Sequence, residues 1–228
     1  MVLSMSKGIQ NIGIGITADI LSAADFGATN FIANIGNNLL TKMFNDRAEQ
    51  ARKIALEEMS LCKRSSFDLS SADQFVAVVY RYQRAALEGA SVLNLKILAK
   101  IMRGQATEGA IFASEFNEFT EAVASLKTKE IVYLGTLIRL HKAKVIVPKK
   151  DSKEFHSLDQ SVGITLRKEL VGTIHFPEDR DLFSCESSLQ RTSFIYPAIQ
   201  LIGGTIYSPT SELERLADLI EFEELFQE

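Results

Sequence analysis

Apolar residues recur at steps of three and four along residues 46–142, the period of helices that bury one stripe each. In "NDRAEQARKIALEEMSLCKR" the stripe is Ala48, Ala51, Ala55 and Met59, on an otherwise charged, Ala-rich segment. "SSADQFVAVVYRYQRAALEGASVLNLKILAKIMRG" opens with Ser71 and Gln74 at capping-box spacing and places Phe75, Val79, Tyr82, Ala86, Leu93, Ile97 and Ile101 on one face. Gly89 is the predicted break between two helices. Phe112, Phe116, Phe119, Val123 and Leu126 then mark a further helix, and Ile131, Leu134, Ile138 and His141 another, with Thr128 as its expected cap. Residues 46–143 are expected to form a helical bundle.

The pattern changes after His141. "RLHKAKVIVPKKDSKEF" gathers six Lys/Arg against two acids around a proline, which makes it the expected domain junction. Beyond it, "DRDLFSCESSLQRTSFI" has helical texture, and "AIQLIGGTIYSP" predicts two short strands turning at Gly203-Gly204. Ser211 and Glu214 have the spacing of a second capping box, opening a final helix that carries seven acids and one Arg from Glu212 onward. Helices flanking a hairpin predict a winged-helix-like module over residues 144–228. The expected fold class is therefore mainly α: a helical bundle with a C-terminal winged-helix-like module containing a short β-hairpin.

The opening of the chain has a different composition. From Gly8 to Asn38 there is no Lys or Arg, and Gly and Ala are dense, yet Ile16, Ile20, Phe31, Ile35 and Leu39 keep near-helical spacing. The pattern predicts a helix over about Thr17–Phe44, loosened at Gly27, within a Gly/Ala-rich apolar segment at residues 1–45. Three readings remain open. The segment is a closely packed core or oligomer-interface helix, a conditional membrane segment sheltered until triggered, or a flexible tail. Asn11, Asp19, Asp25, Asn30 and Asn34 interrupt every window long enough to span a bilayer, and "MVLSMSKGIQ" lacks the apolar core of a secretory signal. The expectation is a cytoplasmic protein, membrane-associated on activation.

Composition changes little of this. The chain has 228 residues, 46% hydrophobic and 24% charged, ordinary values for a folded protein with a sizeable core. Its net charge of −4 gives no general attraction to nucleic acid. Lys149, Lys150 and Lys153 in the junction are the candidate anionic contacts, to nucleic acid or anionic lipid, although a solvated linker explains them more cheaply. Cys62 and Cys185 stand far apart, which predicts two reduced thiols.

No catalytic grouping emerges. His141, His156 and His175 fall in separate segments without metal-ligand spacing, and "GIGIT" lacks the Gly-Lys-Ser/Thr of a phosphate loop. No cofactor, metal or catalytic residue is expected, and no enzyme. A DNA reader would present basic and amide side chains on its recognition helix, but here Asp179, Asp181 and Glu186 oppose Arg180 and Arg191.

The succession "ARKIALEEM", "LNLKILAKIM", "FNEFTEAVASLKTKEIVYLGTL" and "SSLQRTSFI…GGTIYSPTSELERLADLI" is similar to the abortive-infection alpha-type proteins of bacteria, over roughly residues 46–222. The resemblance implies a helical body followed by a winged-helix-like end and a bacterial anti-phage or toxin-like role. It carries over no active residues. The expected function is a non-enzymatic, oligomerising protein that contacts itself, another protein or a membrane through Ile16, Ile20, Phe31, Ile35 and Leu39. A DNA-binding transcriptional regulator using the C-terminal module is the alternative.

Overall fold

A computed structural model describes residues 31–62, 72–109, 111–147, 149, 154, 156–201, 204–220, 222 and 225. The chain is mainly helical with a C-terminal two-stranded antiparallel hairpin. It forms two compact units, Met1–Ala124 and Ser125–Glu228.

In the N-terminal unit, helix α1 (Phe31–Ser60) runs for 30 residues, about 45 Å, without a break. The expected boundary at 45/46 thus falls inside a helix. Helices α2 (Ala72–Leu87), α3 (Val92–Glu108) and α4 (Ala113–Val123) follow. Gly89 separates α2 from α3 at φ +101, a left-handed conformation that an L side chain adopts only under strain. Helix α3 packs against α1, α2 and α4, so it is buried nearly all round, with Leu95, Ile97, Leu98, Ile101 and Met102 at its core. A single stripe of Leu93, Ile97 and Ile101 understates that burial, and Leu93 itself is only half-buried. The charged residues on α3 need partners: Lys100 and Arg103 lie 3.8 and 3.0 Å from the Glu58 carboxylate on α1.

Two details depart from the sequence expectation here. Phe112 is 52% exposed, and Ile111 takes the buried place ahead of α4. Gln74 also has another use, since its side-chain oxygen accepts from the Ala113 N–H at 3.0 Å and so caps α4 from outside. Ser71 lies outside the described residues.

In the C-terminal unit, helix α5 (Thr128–Lys142) is the central element and touches every other helix and strand β2. This is why the unit begins at Ser125 rather than at the expected 144: the buried face of Ile131, Leu134, Leu137 and Ile138 packs on elements that follow it. Helix α6 (Leu158–Leu170), which the mixed texture of its sequence concealed, comes next, then α7 (Asp179–Leu189) and a 3-10 turn at Gln190–Thr192. Strands β1 (Ile195–Leu201) and β2 (Gly204–Pro209) pair antiparallel, with Tyr196 opposite Ser208. Leu201 pairs with Gly204, so Gly204 belongs to β2 rather than to the expected turn, and Gly203 lies outside the described residues. Helix α8 (Ser211–Leu219) closes the unit.

The caps also differ from expectation. Thr128 is the first helical residue of α5, and the Glu130 carboxylate accepts from the Lys127 N–H at 2.8 Å. Thr210, not Ser211, caps α8, its hydroxyl accepting from the Leu213 N–H. The core of this unit contains Leu182, Leu189, Ile195, Leu213, Leu216 and Ile220. Ile206 is half-buried but tightly placed, because a Cβ on Gly163 of α6 would come within 2.8 Å of its Cγ2.

Candidate interaction surface

The candidate contact residues divide between described and undescribed parts of the chain. Ile16 and Ile20 lie outside the described residues, while Phe31, Ile35 and Leu39 belong to α1. The same helix changes character along its length. Ala51 is fully buried and Ile54 nearly so, both on the bundle side. Across residues 41–50 no side chain is buried; Met43 is 42% exposed, and Phe44 and Ala48 are half-buried. The stretch is held at its bundle end by Arg47, whose guanidinium donates to the Leu87 carbonyl at 3.2 Å and so caps the end of α2. Salt bridges within α1, Glu49 to Arg52 at 3.6 Å and Lys53 to Glu57 at 4.0 Å, add modest helical stability.

In the basic junction, the Lys149 ammonium donates to the Glu154 carboxylate at 2.8 Å. The backbone folds back there, with the Lys149 N–H donating to the Glu154 carbonyl and the His156 N–H to the Val147 carbonyl. Ser161 fastens this turn to α6 by accepting from the Val147 N–H at 3.0 Å. Lys150 and Lys153 lie outside the described residues.

Several basic residues of the C-terminal unit are paired with acids. Arg167 lies 3.1 Å from Asp179 with its guanidinium 4.6 Å from the centre of the Phe183 ring, and Arg180 lies 2.9 Å from Glu178. Arg191 binds both oxygens of the fully buried Glu130 carboxylate, at 2.9 and 3.0 Å, and also donates to the Ser125 carbonyl. Burial alone would raise the Glu130 pKa, but hydrogen bonds from Arg191, the Lys127 N–H and Ser188 hold it at about 2.

A second buried acid, Glu186, lies on α7. Glu186 is 8% exposed and accepts from the fully buried Tyr133 hydroxyl at 3.1 Å. Burial pushes its pKa up to about 7, against the hydrogen bond from Tyr133 and the charge of Arg167. The neighbouring Cys185 thiol is buried and pushed up to about 12, first by burial and then by Glu130, which leaves no thiolate for nucleophilic chemistry near neutral pH. The sequence offers one faint sign of the Glu130 pair: an acid at the third position of a helix inside an apolar stripe. Nothing local identifies its partner 61 residues away.

The histidines serve separate roles. His141 faces Glu214 at 3.4 Å, His156 meets Gln160 at 3.3 Å, and His175 is exposed. Among the described residues, no group of three or more His, Cys, Asp or Glu could hold a metal ion, and no helix is long and apolar enough to cross a membrane. No family model, curated protein or solved structure matches the chain.

Proposed function

We propose that the chain is a non-enzymatic, oligomerising interaction protein acting from the cytoplasm through its apolar N-terminal segment, in a bacterial anti-phage or toxin-like role. The observation that supports this reading is the division of α1, in which residues 41–50 contain no buried side chain while Ala51 is fully buried. A helix gains most of its stability in water from packing an apolar face, so this stretch is suited to a partner. Ile16, Ile20, Phe31, Ile35 and Leu39 supply the apolar contact, toward a second copy or another protein and, on activation, toward a membrane. The DNA-regulator reading is the weaker one, because Lys149, Arg167, Arg180 and Arg191 are each engaged with a carboxylate.

The test compares the full chain with Ile20→Asp and Leu39→Asp variants by analytical ultracentrifugation and liposome leakage. The parent chain is expected to self-associate, and each variant to sediment as a monomer with an unchanged thermal unfolding transition. A parent chain that remains monomeric at high concentration and leaves liposomes intact would overturn the reading.

A further inference from the structure

The contact between α5 and α7 holds two carboxylates that receive very unequal support. Glu130 on α5 accepts from the Arg191 guanidinium and from the Lys127 N–H, so its negative charge is matched. Glu186 on α7 accepts from the neutral Tyr133 hydroxyl. The cation acting on it, Arg167 of α6, is itself engaged with Asp179 and stacked on Phe183. A carboxylate taken out of water is costly unless a charge or several donors meet it.

We propose that Glu186, buried where α7 meets α5, is a pH-sensitive latch: protonated Glu186 keeps α7 docked on α5, and its ionisation loosens the Asp179–Leu189 helix. The groups facing Glu186 set the direction. Tyr133 of α5 and Arg167 of α6 act on Glu186 directly, while Glu130 and Lys129 of α5, and Arg191 of the 3-10 turn, which is taken by Glu130, act on the adjacent Cys185 of α7. Tyr207 of β2 bears on Tyr133. Ionising Glu186 therefore places a negative charge in a buried contact whose opposing cation, Arg167, is already shared with Asp179. Because burial raises its folded pKa from 4.5 to about 7, the stabilising contribution is complete below 4.5 and is lost as pH rises through about 7. The latch is independent of the N-terminal contact surface.

Hydrogen exchange of the full chain at pH 6 and pH 8, corrected for intrinsic rates, tests this in the wild type and in Glu186→Gln. Protection of the α7 amides is expected to fall about tenfold over that step in the wild type, since the unfolded carboxylate is already ionised at both values, and to change less than about twofold in Glu186→Gln. Peptides from α3 serve as the internal reference. Equal behaviour of the two proteins would overturn the proposal. A carbon-13 titration of the Glu186 carboxyl in the unaltered protein gives a second reading. A midpoint near 7, moving higher in Tyr133→Phe, supports the latch, and a midpoint at the ordinary glutamate value sinks it.

Discussion

Arg191 holds both oxygens of the Glu130 carboxylate, at 2.9 and 3.0 Å, across 61 residues of sequence. The pair joins the start of α5 to the turn that leads into the hairpin. Glu130 is fully buried while the Arg191 side chain is 40% exposed, so the acid depends on the arginine more than the reverse. Arg191→Ala leaves a buried carboxylate without its cation and is expected to cost about 3–5 kcal/mol. Urea denaturation of the C-terminal unit measures this, and a loss below about 1 kcal/mol would show that water replaces the guanidinium.

The same pair predicts the acid limit of stability. Glu130 is depressed from 4.5 to about 2, so its contribution is present above 4.5 and is lost as pH falls toward 2. Glu130→Gln is expected to be less stable than the wild type at pH 6 and to close that gap progressively between pH 4.5 and 2. Thermal unfolding followed by circular dichroism across this range checks it; a constant gap would contradict the depressed value.

Gly163→Ala is expected to destabilise the protein although alanine is the better helix former. Its Cβ would meet Ile206 Cγ2 at 2.8 Å, and overpacking of this kind costs about 1–3 kcal/mol against the roughly 1 kcal/mol gained in helix propensity. Adding Ile206→Ala removes the clashing methyl group. The double variant should therefore lose less than the two single changes added together, and simple additivity would mean that the hairpin yields freely.

Gln74→Ala removes the acceptor that caps α4 and is expected to cost about 1 kcal/mol. Gln74→Glu keeps an acceptor and adds negative charge at a helix N-terminus, so it should match or exceed the wild type. Chemical denaturation of both variants decides. If Gln74→Ala unfolds at the wild-type midpoint, the bond to Ala113 is not contributing.

Helix existence was legible wherever apolar residues kept one period, as in α2, α4 and α5. The steps of Phe116, Phe119 and Val123 are enough to predict which side is buried, because a surface helix faces the core on one stripe. Helix α6 escaped notice because Ser161 and Gly163 occupy positions on its packed side. One accepts a backbone N–H, and the other allows a strand to approach, so neither has the apolar signature of a core residue. The caps at Thr128 and Ser211 were misplaced by a single residue, since spacing alone does not distinguish a capping side chain from its neighbour.

The sequence by itself determined the helical character, the Gly89 break, the hairpin and most of the buried face of α5, because periodicity and turn chemistry act over a few residues. Only the tertiary structure decided that α5 belongs with the elements after it, that Gln74 caps a helix 39 residues on, and that Glu130 and Glu186 meet such different partners. Those outcomes depend on which faces meet across long separations. The free energy of a buried charge is set by the groups that meet it there, not by its neighbours along the chain.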